Sequence, residues 1–413
     1  MPLDFSRQVV IRWNDVDPKH ASLLQEAAVN GVILPSPNEE FARACKAAGI
    51  ESITEDQIQF VGVKELANAT SGKPVALTEG EWPGVSRGPN VEGRGDEVAS
   101  ASMQPWVDAD GFWAGYLRAL APDRPPVLGY VPKLGDRAVP FDSLELALID
   151  AWVAGGNYLL AVEPRFRQAL LEGDEKARAA WHDLGRTARW LEQQIRLFRQ
   201  PTFPIITMLV EPGEATAEIA SLMYRQNASP ALARADQPPP PDPQHRLALV
   251  AVDLKPPALP IRNRILAHAE AGAAVVVNGD WWRNTSLKKV KSQEDRDFFQ
   301  LGRGQVVAYR QSIADPSEFA LDVIDIVGHG RRAVRLWEAG AVIALATGKG
   351  LLHCINYGSP VNDVIQARIQ GVFNKATLLR PEAPPKELKT ARRGTTTEVF
   401  LPELRRLGVV VFG

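Results

Sequence analysis

The sequence predicts a multidomain α/β protein: a (β/α)8 barrel, then a small three-layer α/β domain, then a small antiparallel β-sandwich. The first two parts are predicted because apolar runs alternate with helix-length segments as far as about residue 330. These runs are continuous rather than alternating in polarity, which is typical of parallel strands buried on both faces. The sandwich is predicted because short apolar runs separated by turn residues follow Gly328-His329-Gly330.

The N-terminal part contains about eight strand–helix units in roughly 235 residues, which is the size of a (β/α)8 barrel. An open doubly wound sheet is the alternative, because the third and eighth strands are weak. The predicted strands are 9–13, 31–35, one strand within 49–63, 73–78, 126–130, 157–163, 204–210 and 229–233.

A proline run marks the clearest seam of the chain, at Gln237-Pro238-Pro239-Pro240-Pro241-Asp242-Pro243. Because proline cannot sit inside a helix or a central strand, this stretch is predicted to be a semi-rigid linker. The predicted domains are therefore 1–236 for the barrel, 237–244 for the linker, 245–330 for the middle α/β domain and 331–413 for the β-domain.

Composition excludes several function classes. The 47 basic and 49 acidic residues give a formal charge of −2, which leaves no strong electrostatic case for binding nucleic acid or acidic lipid. The two cysteines, Cys45 and Cys354, provide neither a disulfide framework nor a cysteine-based zinc site. No pair of histidines has metal-ligand spacing, so neither a metal nor another cofactor is expected. No secretory signal is visible, and cytoplasm is the default expectation.

Carboxylates follow four of the predicted barrel strands, where catalytic side chains of such barrels lie. They are Asp15 after the first strand, Glu79 and Glu81 after the fourth, Glu163 after the sixth and Glu211 after the seventh. Two carboxylates facing each other across a cavity are what glycosidic bond cleavage requires: one protonates the leaving oxygen, while the other attacks or activates water.

Helix capping is the competing interpretation of each of these residues, and it is favoured by about two to one for any single residue. Asp17 and Glu214 look most like caps. Glu79 and Glu211 are the better catalytic candidates, since each immediately follows its apolar run. Glu81 remains an alternative to Glu79, because Gly80 lets the backbone turn freely between them.

Aromatic residues near the same strand ends indicate a sugar-binding surface. Indole faces stack on the apolar faces of sugars, and Trp82 and Trp106 are the candidates. The segment from Ser102 to Trp113 adds Asp108 and Asp110, which are predicted to bind hydroxyl groups. Burial in the core is the competing explanation for any of these tryptophans.

The order of these parts resembles multidomain glycoside hydrolases of the β-galactosidase type. The resemblance is carried by Ala271-Gly272-Ala273-Ala274-Val275-Val276-Val277 and Gly302-Arg303-Gly304-Gln305-Val306-Val307 in the middle part. In the tail it is carried by Leu352-His353-Cys354-Ile355-Asn356-Tyr357 and Thr397-Glu398-Val399-Phe400-Leu401-Pro402. It implies a TIM-like barrel, then a Rossmann-like, amidotransferase-like domain without a catalytic cysteine, then a C-terminal β-sandwich.

The resemblance also implies roles for particular residues. The acid/base glutamate of such enzymes follows the fourth strand, which corresponds to Glu79 or Glu81, and their nucleophile follows the seventh, which corresponds to Glu211. Thr78-Glu79 stands where these enzymes carry an Asn-Glu pair. The sequence thus predicts a retaining glycosidase that acts on a small carbohydrate. Self-association through the middle domain is implied by the resemblance alone, as a possible homo-oligomer. The alternative is a non-catalytic carbohydrate-binding or scaffold protein on a degenerate barrel.

Overall fold

A computed structural model describes residues 3–66, 69, 73–85, 106–131, 139–242, 244–283, 287–337, 339–359 and 364–413. The part up to residue 193 contains short strands and longer helices. The strands are β1 (Val10–Arg12), β2 (Gly31–Leu34), β3 (Glu51–Thr54), β4 (Gln59–Val61), β5 (Val75–Leu77), β6 (Gly84–Val85), β7 (Val107–Asp108), β8 (Val127–Leu128), β9 (Asn157–Tyr158) and β10 (Leu160–Ala161). The helices are α1 (Ala21–Glu26), α2 (Glu39–Ala47), α3 (Gly111–Leu120), α4 (Ser143–Val153), α5 (Pro164–Glu172) and α6 (Glu175–Gln193).

Two parallel four-stranded sheets form the barrel-like centre of this part. Their strand orders are β10-β1-β2-β3 and β4-β5-β8-β9, and every pairing in them is parallel. The sheets meet where β9 runs into β10 through Leu159, and where β3 leads into β4 through the turn Glu55–Gln57. A small apolar cluster with residues from both sheets fills the space between them, including Val10, Ile33, Ala76 and Val127.

The second part is a seven-stranded sheet flanked by helices. Its strand order is β12-β11-β13-β14-β17-β16-β15. The first five strands run parallel to one another, β16 pairs antiparallel with β17, and β15 pairs antiparallel with β16. The strands are β11 (Ile206–Val210), β12 (Ala231–Arg234), β13 (Ala248–Ala251), β14 (Ala274–Asn278), β15 (Lys288–Ser292), β16 (Arg296–Leu301) and β17 (Gly304–Tyr309). The helices are α7 (Glu214–Arg225), α8 (Leu259–Ala271) and α9 (Pro316–Val327).

This sheet corrects the predicted distribution of strands. The runs predicted as the seventh and eighth barrel strands are β11 and β12, and β11 pairs with β13 on the far side of the proline run. The proline run therefore connects two strands of one sheet, and the predicted boundary at 236 and 245 does not separate two sheets. Continuous apolar runs show that a strand is buried on both faces, but they do not show which sheet it joins.

The C-terminal part consists of two antiparallel sheets. Their orders are β18-β21-β25-β24 and β19-β20-β26-β22-β23. The strands are β18 (Val334–Trp337), β19 (Val342–Thr347), β20 (Leu351–Asn356), β21 (Ile365–Gln370), β22 (Ala376–Arg380), β23 (Ala383–Leu388), β24 (Thr390–Arg393), β25 (Thr396–Leu401) and β26 (Leu407–Phe412). The α/β class with a β-rich C-terminal part is thus confirmed.

Helix α4 joins the N-terminal part to the C-terminal sheets. Every residue of α4 is buried, as expected for a helix that is apolar on nearly all sides. Its two buried glutamate and aspartate side chains that face the other parts have partners. Glu145 accepts from Thr187 at 2.6 Å, and Asp150 accepts from the hydroxyl of Tyr357 in the C-terminal part, also at 2.6 Å. Arg405, another C-terminal residue, lies 3.3 Å from Glu145. The joint between the parts is therefore both apolar and hydrogen-bonded.

Helix α6 packs closely against the end of α1 at Gly185. A Cβ atom there would lie 2.3 Å from the carbonyl oxygen of Glu26 and 2.8 Å from the Cα of Ala27. We expect Gly185→Ala to lower the free energy of unfolding by about 1–3 kcal/mol, because backbone atoms must move to admit the methyl group. Urea denaturation followed by circular dichroism measures it.

The matched control for this prediction is Gly115→Ala in α3. A Cβ atom at Gly115 would lie 3.5 Å from Leu232, which is an ordinary contact. Alanine favours the helix over glycine by about 1 kcal/mol, so this variant is expected to be as stable as the parent or more so. Equal destabilisation of the two variants would contradict the steric account of Gly185.

Candidate functional site

The candidate site lies at the carboxyl ends of the parallel strands, where the loops after each strand share one edge. Glu79 follows β5, with Thr78 between them. Its Oε1 accepts the backbone N–H of Val63, which follows β4, at 2.6 Å. Its Oε2 is buried and has no hydrogen-bond partner among the described residues. One oxygen thus holds the carboxylate in place, while the other is buried without a partner in the described part of the chain.

Glu81 lies in a different setting from Glu79. Its side chain is exposed, and its backbone N–H donates to Oδ1 of Asp110 at 3.1 Å. Gly80, between the two glutamates, has φ +149°, and a Cβ there would lie 2.4 Å from the ring of Tyr130. The sequence left Glu79 and Glu81 open as alternatives, and Glu79 is the one with a fixed carboxylate.

Glu211 directly follows β11 of the seven-stranded sheet. Its Oε2 accepts the backbone N–H of Lys255 at 3.1 Å, and its carbonyl oxygen accepts from the hydroxyl groups of Tyr116 and Thr216. Burial is the main reason why the pKa of Tyr116 rises to about 12, so this hydroxyl remains a donor at neutral pH. The backbone of Glu211 is therefore held by hydroxyl groups from α3 and α7.

An ion pair joins the loop that positions Glu79 to the helix that follows Glu211. Lys64 is next to Val63, and its Nζ lies 2.6 Å from Oε1 of Glu214. Hydrogen bonding and the charge of Glu214 raise the pKa of Lys64, and the same contact lowers the pKa of Glu214. The charge of Glu79 also contributes to the raised pKa of Lys64. The ion pair therefore connects the loop after β4, which holds the Glu79 carboxylate, to the start of the helix that follows Glu211.

The side chains of Asp15 and Glu163 form hydrogen bonds with nearby residues of their own segments. Oδ1 of Asp15 accepts from the backbone of Asp17 at 3.0 Å and lies 2.8 Å from Nδ1 of His20. Burial opposes the ionised form of Asp15, but these hydrogen bonds outweigh it and lower its pKa. Glu163 is buried and caps α5, accepting the backbone N–H of Phe166 at 2.8 Å.

Trp106 presents an indole ring at the surface, with 51% of the residue exposed. Its Nε1 donates to Oδ1 of Asp108 at 2.7 Å, and the guanidinium carbon of Arg225 lies 3.4 Å from the ring centroid. The ring is thus held by a cation and a carboxylate. Trp82, in contrast, is half-buried and packs against the main apolar core.

Asp110 belongs to a buried cluster that the sequence analysis missed. Asp150 Oδ2 accepts the backbone N–H of Asp110 at 2.6 Å and that of Gly111 at 2.9 Å. Asp150 Oδ1 accepts from Tyr357 at 2.6 Å and from Tyr224 at 3.3 Å. The signal that could have found it is Asp150 itself, a carboxylate within an apolar helix.

Both carboxyl groups of this cluster are shifted toward their neutral forms. Burial, followed by the charge of Asp150, raises the pKa of Asp110 well above its usual value. Burial raises the pKa of Asp150 to about 6, although four hydrogen bonds oppose that shift. Such a pair holds a proton more readily than ordinary aspartates, but burial separates it from substrate-sized molecules.

Arg12 is a second residue that the sequence analysis did not single out. It ends β1, forms an ion pair of 2.9 Å with Glu55 in the turn between β3 and β4, and lies over the ring of Phe60. An arginine within the apolar run Val9–Trp13 was the available signal. In the described part of the chain, no group of three or more histidine, cysteine or acidic side chains could hold a metal ion. No helix there has the length and apolarity to cross a bilayer.

Comparison with known proteins gives a match in structure only. No family model matches the sequence, and no curated protein matches it either. The α-L-fucosidase isoenzyme 2 from Paenibacillus thiaminolyticus is similar over 99% of both chains, with a TM-score of 0.57 and 10% sequence identity. The β-galactosidase from Bacillus circulans sp. alkalophilus has a TM-score of 0.54 at 9% identity, covering 91% of this chain and 66% of the other.

The fold is that of β-galactosidase-type multidomain glycoside hydrolases. This confirms the resemblance inferred from the order of the parts. Glu79 follows β5 of a four-stranded parallel sheet, whereas Glu211 follows β11 of the seven-stranded sheet rather than a seventh barrel strand. At identities near 10%, the likeness concerns the architecture and leaves the roles of individual residues to be tested.

Proposed function

We propose that the protein is a glycoside hydrolase in which Glu79 is the general acid/base and Glu211 is the nucleophile. The observation that best supports this assignment is the carboxylate of Glu79, with one oxygen fixed by Val63 and the other buried without a partner among the described residues. A buried acceptor without a partner is costly unless something binds there. Protonated at Oε2, Glu79 would donate to the leaving-group oxygen, and that hydrogen bond would supply the missing partner.

In the proposed reaction the carboxylate of Glu211 attacks the anomeric carbon as the glycosidic bond breaks. Glu79 gives its proton to the departing oxygen, and a covalent glycosyl–enzyme forms. Glu79 then removes a proton from water, which attacks the anomeric carbon and releases Glu211. This retaining route needs carboxyl groups about 5–5.5 Å apart, whereas inversion needs about 6.5–9.5 Å. The ion pair between Lys64 and Glu214 supports the approach of the two loops.

Trp106 and Asp108 are the proposed sugar contacts. The exposed indole offers a stacking surface, while Asp108 can accept from a hydroxyl group. Asp15, Asp110 and Glu163, which the sequence also proposed as sugar ligands, are engaged within the protein, and we assign them supporting roles. Trp82 packs on the core and is proposed to shape the loop that carries Glu79.

A non-catalytic carbohydrate-binding protein is the second candidate. It is favoured by one observation: Glu79 and Glu211 each accept a backbone N–H from another loop, as carboxylates with a purely structural role do. Under this function a sugar would bind beside Trp106, and replacement of either glutamate would leave the binding unchanged.

Activity on a panel of aryl glycosides, with Glu79→Gln and Glu81→Gln compared with the parent, tests the proposal. The Glu79 variant is expected to lose about 10²–10⁴-fold in kcat/KM on substrates with poor leaving groups, and less on activated ones. The Glu81 variant is expected to match the parent. The opposite ranking would assign acid catalysis to Glu81, and complete inactivity of the parent would favour the binding protein.

A further inference from the structure

We infer that a cavity beside α3 is a binding site for a small apolar carboxylate, with the guanidinium of Arg118 as its anchor. The cavity lies where α3 meets strand β12 of the seven-stranded sheet and strand β19 of the C-terminal part. Neither Glu79 nor Glu211 lines it. The inference therefore stands apart from the proposed hydrolase activity.

The size and lining of the cavity determine how large and how apolar the ligand can be. Its volume is about 180 Å³, and most of its walls are apolar. An engineered apolar cavity of about 150 Å³ admits benzene, so this one has room for about six to nine non-hydrogen atoms. The apolar walls come chiefly from Phe112, Pro201, Ala220, Pro230, Leu232 and Leu345.

Helix α3 gives the cavity its length. Gly111, Gly115 and Arg118 all line it, and their spacing of four and three residues places them on one face of the helix. The distance along the axis from Gly111 to Arg118 is about 10 Å. Gly115 keeps the middle open, because a Cβ atom there would meet only Leu232, at 3.5 Å.

Arg118 supplies a positive charge at one end of the cavity without an acidic partner. Its Nη2 donates to the carbonyl oxygen of Ala154 at 2.8 Å, and no carboxylate in the described residues pairs with it. A guanidinium has five N–H donors arranged to bind a carboxylate through two parallel hydrogen bonds. Burial lowers the pKa of Arg118.

Capping of α4 explains only part of this arrangement. The carbonyl oxygens of Ala154 and Gly155, just after α4, accept from Arg118 and from Arg199 respectively. The end of a helix carries about half a negative charge, which is less than the charge of one guanidinium. An anion beside Arg118 would supply the missing charge.

The opposite end of the cavity favours a single orientation of such a ligand. There Tyr224 and Gly111 line the wall, and Asp150 lies behind both of them, bonded to the Tyr224 hydroxyl and to the Gly111 N–H. Because the Gly111 N–H and the Tyr224 hydroxyl both already donate to Asp150, neither is free to bind a carboxylate at that end. A carboxylate is therefore directed to Arg118, with its apolar tail toward Tyr224.

Calorimetric titration with hexanoate and with hexan-1-ol, which has the same chain but no charge, tests the inference. The parent, Arg118→Met, Gly115→Leu and the exposed control Arg196→Met are compared. We expect hexanoate to bind the parent at least about tenfold more tightly than hexan-1-ol, because hydrogen bonds to charged groups contribute about 1.5–3 kcal/mol.

The variants separate the contribution of charge from that of space. Arg118→Met is expected to remove the preference for hexanoate, and Gly115→Leu to abolish binding of both molecules, while Arg196→Met binds as the parent does. Equal binding of hexanoate and hexan-1-ol to the parent, or binding that persists in Gly115→Leu, would overturn the inference. These two results do not depend on whether Arg118→Met folds.

Discussion

Glu211→Gln is expected to lower kcat on aryl glycosides by at least about 10⁴-fold, since removal of a catalytic nucleophile costs that much or more in well-studied hydrolases. Glutamine keeps the size of the side chain, and its amide oxygen can still accept the N–H of Lys255. It cannot form a glycosyl ester. The fold is therefore expected to survive while the covalent step is lost.

Steady-state kinetics on the best aryl glycoside from the panel, together with thermal melting of each variant, measures this effect. Glu218→Gln on α7 is the matched control, because it makes the same change at an exposed position of the helix that follows Glu211. Addition of azide to Glu211→Ala provides a second readout, because the truncated side chain leaves space for a small nucleophile to replace the carboxylate and give a glycosyl azide of inverted configuration. Unchanged kcat in Glu211→Gln would exclude the nucleophile role.

Asp150→Ala is expected to lower the free energy of unfolding by about 3–5 kcal/mol. This is the largest effect on stability that we expect for a single substitution in this protein. The carboxylate accepts two backbone N–H groups and two tyrosine hydroxyls, and alanine leaves all four buried without an acceptor. Urea denaturation measures the loss. A change below about 1 kcal/mol would mean that the cluster rearranges or admits water.

Asp150→Asn separates the charge of this side chain from its hydrogen bonds. The pKa of Asp150 is about 6 in the folded protein and 3.8 when unperturbed, so the folded state binds the proton more tightly. The extra stability that comes from this tighter proton binding is therefore fully present below about pH 4 and is lost as the pH rises through 6. Asparagine carries no such proton, and its amide group can donate to the tyrosine hydroxyls.

The difference in free energy of unfolding between Asp150→Asn and the parent is expected to move in favour of the variant by about 1 kcal/mol between pH 5 and pH 7. Urea titrations of both proteins at the two pH values measure it. Since all other groups are shared, the difference isolates Asp150 and its coupling to Asp110. A constant difference would show that Asp150 has the same pKa in both states.

The sequence predicted most strands but not all of their neighbours. Periodicity located β11 and β12 correctly, yet it assigned them to the barrel, because partner choice depends on contacts that no local pattern contains. Strand β23 was missed since it contains Pro384 and Pro385, which argue against a strand. It is an edge strand, paired only with β22, where missing N–H donors are tolerated.

The residues of the candidate site could likewise be predicted only in part. Asp17 was predicted to be a cap, and it accepts the N–H of Lys19 beside Pro18. Glu163 was proposed as a sugar ligand, although Pro164 at the first position of α5 was itself a signal of capping. Asp150 was visible in the sequence as a carboxylate within an apolar helix, but its partners Tyr224 and Tyr357 were not, because they are distant in the chain and meet it only in the folded protein.

The position of the proline run in the sheet limits where the chain can be cut into separate domains. It joins β12 to β13, and β11 lies between these two strands in the sheet. A polypeptide ending before the run would leave one side of β11 without its hydrogen-bonded neighbour, and such bare edges recruit other chains. Neither half is then an autonomous folding unit, and despite its linker-like composition this stretch is an internal crossover rather than a natural point of separation.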